Sequence, residues 1–129
     1  MIPPIDLSED EICILFIGHL EDLKRMNLLD FMYLHIPNEI SSNKNPFFGK
    51  KLKRMGKING AADYLIAWEG GYGFIEFKTQ KGKQNDSQKQ FEKDCKAMNI
   101  KYEIARSVSD GIKILRDWGL LKLVNFNIC

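Results

Sequence analysis

No stretch of this chain is apolar for long enough to cross a bilayer, its longest hydrophobic run falling far short of the roughly 20 residues that a spanning helix needs, so no membrane association is expected. The start, Met1-Ile2-Pro3-Pro4-Ile5-Asp6, lacks a basic segment leading into an apolar core, so no secretory signal is expected either. Cysteine is scarce. Cys13, Cys95 and Cys129 have no metal-ligand spacing and leave one thiol over in any disulfide scheme, which fits reduced thiols in an intracellular, cytoplasmic protein. Internal repeats and low-complexity tracts are absent. Acidic residues are missing from one long stretch: between Asn43 and Ala62 stand Lys44, Lys50, Lys51, Lys53, Arg54 and Lys57, with no Asp or Glu among them. Lys78, Lys81 and Lys83 follow, whereas the acids crowd the first helical region with Asp6, Glu9, Asp10, Glu11, Glu21 and Asp22. That asymmetry suits a polyanion docking on one side, although a merely solvated basic loop explains it about as well.

What is present describes a globular chain. A hydrophobic share of 44% and a charged share of 28% over 129 residues fit one domain, 1–129, with a modest single core. Ser8-Glu9-Asp10-Glu11 is a capping box, and Ile12, Leu15, Phe16, Ile17, Leu20 and Leu23 continue it as an amphipathic helix over 8–26. Residues 30–36 read as a buried strand ended by Pro37, and 37–61 as a long loop of the kind that carries function. Two strands, 62–68 and 72–78, flank Glu69-Gly70-Gly71, an antiparallel hairpin signal. Asn85 and Gln88 form a second box, heading a stripe of Phe91, Cys95 and Met98. A strand over 100–105 and a helix over 109–120, begun by Ser107 or Ser109, complete the order α-β-β-β-α-β-α, an α/β mixed sheet flanked by helices.

The chemistry-bearing signal is Glu76-Phe77-Lys78. Acid-x-Lys also occurs at Asp22-Leu23-Lys24 and Asp94-Cys95-Lys96, but those lie in helical segments, where residues two apart diverge by about 200°. On a strand they share a face. With Gly70 and Gly71 as central turn residues, Leu65 faces Glu76, Asp63 faces Lys78, and the two carboxylates are diagonal neighbours on one side, with Ile75 and Phe77 on the other. An ordinary surface pair of Glu76 and Lys78 is the competing reading. Tyr72, Phe74, Ile75 and Phe77 argue for burial, and two buried carboxylates call for a hard divalent cation such as Mg²⁺ or Mn²⁺. His35 reads as a satisfied core histidine before a site residue, and Trp68 and Trp118 as core.

Gly60-Ala61-Ala62-Asp63, Phe74-Ile75-Glu76-Phe77-Lys78-Thr79, Gly82, and Asn85 to Gln88 with Phe91 resemble the blocks of the VRR-NUC family, the virus-type replication and repair nucleases of the PD-(D/E)xK superfamily. His35-Ile36-Pro37-Asn38-Glu39 upstream, and Tyr102, Ala105, Arg106 and Ser107 downstream, resemble its flanking blocks. The resemblance implies a restriction-endonuclease-like fold and a Mg²⁺- or Mn²⁺-dependent DNA endonuclease, similar to Holliday-junction resolvases that act as homodimers on branched DNA. It further implies Asp63, Glu76 and the Phe77 carbonyl as metal ligands, Lys78 as catalytic lysine, and Gln88 near the site. A helix-one acid is implied too, with Glu9, on the face of Ile12 and Phe16, preferred to the capping Glu11. The literal Pro of the motif is replaced by Ala62. Lys44, Lys50, Lys51, Lys53, Arg54, Lys57, Lys81 and Lys83 would contact DNA phosphates. A catalytically silent nucleic-acid-binding module and an RNA nuclease are the alternatives.

Overall fold

The computed structural model describes residues 6–37 and 46–121. Its first helix, α1 (Glu9–Arg25), begins where the sequence places a reciprocal cap: Ser8 Oγ accepts the Glu11 N–H at 3.1 Å, and Glu11 accepts the Ser8 N–H at 3.0 Å. The chain continues through β1 (Met32–His35), α2 (Pro46–Arg54), β2 (Tyr64–Trp68), β3 (Gly71–Phe77), α3 (Asp86–Ala97), β4 (Lys101–Ala105) and α4 (Val108–Asp117). The strands form one sheet in the order β1-β2-β3-β4, antiparallel up to β3 and parallel between β3 and β4. A parallel neighbour requires a crossover, and α3 supplies it. This is the expected mixed sheet flanked by helices.

Strand alternation gives the sheet two differently used faces. Tyr64, Ile66, Ile75 and Phe77 enter the main core with Ile12, Phe16, Leu20 and Leu23 of α1 and Ile112 and Leu115 of α4. On the other face a smaller cluster joins Ala62, Cys95 and Tyr102 to Phe74 and Phe91, which meet edge-on at 5.1 Å. Phe16 and Phe77 are fully buried with ring centroids 4.9 Å apart. A Cβ on Gly111 of α4 would lie 2.8 Å from the Phe16 ring and 3.2 Å from that of Phe77, so α4 reaches this pair only because residue 111 has no side chain. Trp68 and Trp118 stack at 5.7 Å and pack, partly buried, against the same core.

Four sequence expectations are corrected. The hairpin pairs Trp68 with Gly71 and Leu65 with Phe74, two residues away from the expected register, so its turn is Glu69-Gly70. Gly70 takes the left-handed position with φ +98, and a Cβ on Gly71 would sit 2.9 Å from the Trp68 indole, so the ladder position opposite Trp68 takes a glycine as well. A slip of two preserves the facing of every side chain but places Asp63 in line with Glu76, where Lys78 was expected. Secondly, the stretch expected to be loop contains α2, too short to announce itself by periodicity. Thirdly, among the described residues β1 pairs with β2 alone, and Met32 is 65% exposed and Leu34 49%, so the strand expected to be buried is an edge there. Finally Met98, assigned to the buried stripe, is the exposed C-cap of α3.

The tight seat of α4 yields a test. Gly111→Ala should destabilise the protein by about 1–3 kcal/mol through overpacking against Phe16 and Phe77. Urea denaturation should show a lower midpoint with an unchanged m-value; an unchanged midpoint would contradict this packing.

Candidate active site

Asp63 stands just before β2 and Lys78 just after β3, so the ends of the two central strands carry the site. Asp63 is clamped twice. Its carbonyl accepts the Ile36 N–H at 2.7 Å, extending the β1–β2 ladder, and its Oδ2 accepts the Phe77 N–H at 2.7 Å in place of a main-chain acceptor. Glu76 is 1% exposed and Lys78 5%, although both are charged types. They face away from Phe77, whose ring is locked in the main core, so the core side fixes the direction of the polar side.

Gln88 ties the remaining groups together. Its Oε1 accepts from Lys78 Nζ at 2.9 Å and from the Asn85 N–H at 2.9 Å, while its Nε2 donates to Glu76 Oε2 at 3.2 Å. One amide therefore both caps α3 and bridges the acid and the amine, so the capping and site roles of Gln88 coexist. Lys78 Nζ lies 3.6 Å from Glu76 Oε2 and 3.9 Å from Glu9 Oε1. Glu9 thus faces the site, whereas Glu11 is used in the α1 cap. α3 is brought in by Gly60, with φ +81: a Cβ there would lie 2.3 Å from the Ser87 carbonyl carbon and 2.5 Å from the Gln88 nitrogen. Only glycine permits that backbone approach.

These residues line a cleft of about 730 Å³, open to Glu9, His35, Gly60, Asp63, Glu76 and Gln88. His35 is exposed on this wall, correcting its expected place in the core, because the edge strand leaves its side uncovered. Cys13, to which no site role was given, also lines the cleft, and burial pushes its thiol up to about 12, so it is no nucleophile at neutral pH. Arg106, another residue without an assigned role, donates from Nη1 to the carbonyls of Thr79 at 2.7 Å and Gly82 at 2.8 Å, pinning the loop that follows Lys78. A lone Arg after a strand gives no sequence signal of that contact.

The cationic residues divide. Lys50, Lys51, Lys53 and Arg54 lie on α2, Lys57 just beyond it, and Lys81 and Lys83 between β3 and α3. Lys44, Asn38, Glu39 and Cys129 lie outside the described residues. Cys13 and Cys95 are free thiols.

Electrostatics set the chemistry. Burial and then Asp63 push the Glu76 carboxyl up to about 8, while burial raises Asp63 despite its hydrogen bond from Phe77. Among the described residues, Glu76 Oε1 is the buried side-chain polar atom that lacks a hydrogen-bond partner. An unsatisfied carboxylate oxygen beside a second carboxylate is a seat for a cation. Among the described residues no three His, Cys, Asp or Glu side chains gather as a ligand cluster. The oxygen donors of Asp63 and Glu76 are of the kind that suit Mg²⁺ or Mn²⁺ better than zinc.

A comparison with solved structures finds the fold again. The chain superposes on a protein described as "VRR_NUC domain protein" with a TM-score of 0.66 at 19% sequence identity, over 95% of this chain and 95% of that one. No family model matches the sequence, and no curated protein does. The likeness is one of architecture: this chain has the fold of that VRR_NUC domain protein.

A raised carboxyl makes stability fall as pH rises. The folded state holds the Glu76 proton from its ordinary value of 4.5 up to about 8, so the associated stability is complete below the former and lost through the latter. Metal-free protein should therefore melt lower at about pH 8.5 than at about pH 5, by roughly 5 °C or more, and Glu76→Gln should remove most of the difference. Thermal unfolding in a chelator measures both; equal pH sensitivity in the variant and the parent would contradict the assignment.

Proposed function

We propose that this chain is a VRR-NUC nuclease, a Mg²⁺- or Mn²⁺-dependent endonuclease that hydrolyses phosphodiester bonds in branched or structured DNA. The observation that carries the reading is the buried Glu76 with one unpartnered oxygen, in line with Asp63 and 3.6 Å from Lys78. The VRR_NUC fold and the sequence blocks around Asp63 and Glu76 support it from independent directions.

In this reading Asp63 and Glu76 hold the cation, with the Phe77 carbonyl as a third protein ligand. The bound ion supplies a lowered pKa for its water and positive charge at the phosphoryl oxygen. Phosphodiester hydrolysis forms one bond from a water oxygen to phosphorus and breaks the bond to the leaving sugar oxygen, through a transition state with added negative charge. Lys78 sets its ammonium where that charge develops, and needs no reorganisation because Gln88 and Glu76 already hold it. Gln88 keeps Oε2 of Glu76 occupied, which leaves Oε1 as the oxygen that would be offered to a cation. Glu9, whose Oε1 lies 3.9 Å from Lys78 Nζ, would be the helix-one acid of the ligand set. Lys50, Lys51, Lys53, Arg54, Lys57, Lys81, Lys83 and Lys44 contact phosphates, which positions DNA without reading its sequence. Two copies acting on one junction make a homodimer the fitting assembly, since paired sites related by a two-fold axis match a four-way junction. No described helix is long and apolar enough to cross a membrane.

Cleavage assays on duplex, flap, splayed-arm and four-way junction DNA, with structured RNA alongside and mass measurement in solution, test this reading. Asp63→Ala and Glu76→Ala should each lower Mg²⁺-dependent cutting by at least about 10²-fold while DNA binding in chelator survives. Persistent cutting by either variant would overturn the assignment, and a wild type that binds without cutting would favour the silent binding module.

A further inference from the structure

α2 (Pro46–Arg54) combines two properties that a merely soluble helix does not need. Lys50, Lys51, Lys53 and Arg54, with Lys57 just after, give it cations without a single acid. Yet Phe47 is 77% exposed and Phe48 51%. Helical spacing sorts these residues: Phe47 shares a face with Lys50, Lys51 and Arg54, while Phe48 shares the next one with the half-buried Leu52. An aromatic ring therefore heads the basic stripe.

A symmetric second copy fits this surface poorly, because it would bring like-charged cations face to face. The surface complements a ligand that is anionic along its length and carries apolar aromatic planes, which describes a nucleic-acid strand with unpaired bases. Paired bases hide their faces in the stack. Gly60 lies on the cleft wall, and the link from Arg54 to it spans at most about 22 Å even if fully extended, which bounds how far α2 stands from the cleft.

Resting on the nuclease reading above, we infer that α2 is a stacking wedge in which Phe47, supported by Phe48, packs on the unpaired bases at a DNA branch while Lys50, Lys51 and Arg54 hold the flanking phosphates. Selectivity for branched over duplex DNA then resides in the aromatic pair, and general affinity in the cations.

The test uses the full chain in chelator, with fluorescence anisotropy on duplex and on splayed-arm DNA carrying 2-aminopurine at the branch. The joint change Phe47→Ala and Phe48→Ala should weaken splayed-arm binding about tenfold, collapse the preference over duplex, and abolish the 2-aminopurine signal without altering the salt dependence. Phe47→Trp should restore the preference and the signal. Lys50→Ala with Lys51→Ala should weaken both DNAs alike and reduce the salt slope by about 0.9 for each phosphate no longer neutralised. Unchanged selectivity in the Phe variant, or equal weakening on both DNAs, overturns the wedge. So does a Phe-dependent shift in mass in solution, which assigns α2 to a second copy, or Phe-dependent sedimentation with phosphatidylglycerol vesicles in place of DNA, which assigns it to a membrane surface. Mg²⁺-dependent cutting by the wild type is read separately, so a failed nuclease reading is distinguishable from a failed wedge.

Discussion

The structure turns on a carboxylate that the fold buries without fully satisfying. Glu76 sits on a central strand, almost wholly excluded from solvent, with Oε2 held by Gln88 and near Lys78 and with Oε1 left over. Burying an ionised carboxylate costs several kcal/mol after relaxation, and an adjacent Asp63 adds to that cost. The protein meets it by raising the Glu76 pKa in the absence of a cation, and a divalent ion would reverse the shift. Instability built into a site is a common signature of function, because packing alone would have placed an apolar residue there.

The rest of the fold serves to hold that arrangement. On one side of β3, Phe77 is wedged against Phe16, and the missing side chain of Gly111 lets α4 close over both. On the other side, Gly60 lets the β2 approach touch the start of α3, which delivers Gln88. Asp63 is fixed by main-chain groups from both neighbouring strands, Ile36 and Phe77. Residues from α1, β1, the start of β2, β3 and α3 converge on the cleft, and backbone constraints stand behind Asp63, Phe77 and Gln88, as a preorganised site requires.

Much of this is legible in the sequence because it is local. The caps at Ser8 and Asn85 depend on residues three apart, and both form as their sequence pattern implies. The shared facing of Asp63 and Glu76 survives the change of register because strand facing has a period of two, and the register shift is also two. What is illegible depends on neighbours. The turn is expected at Gly70-Gly71, and no local signal moves it to Glu69-Gly70, where Gly71 instead pairs with Trp68 and a side chain on residue 71 would meet the Trp68 indole. The apolar residues of β1 announce a strand but not that it lies at the edge, so the exposure of Met32, Leu34 and His35 has no local signal. α2 is one short helix in a Pro-, Asn- and Gly-containing stretch, where the pair Asn45-Pro46 reads as a turn as readily as a helix start, and the run of lysines stands out while the aromatics beside it do not.

The central claim is that Glu76 is buried in order to hold a cation. Calorimetric titration of the chelator-treated protein with Mn²⁺ tests it without reference to any DNA substrate. The account predicts saturable binding that releases a proton near neutral pH, as the raised Glu76 carboxyl ionises, and that disappears in Glu76→Gln. Binding of equal strength in Glu76→Gln, or none in the wild type, would contradict it.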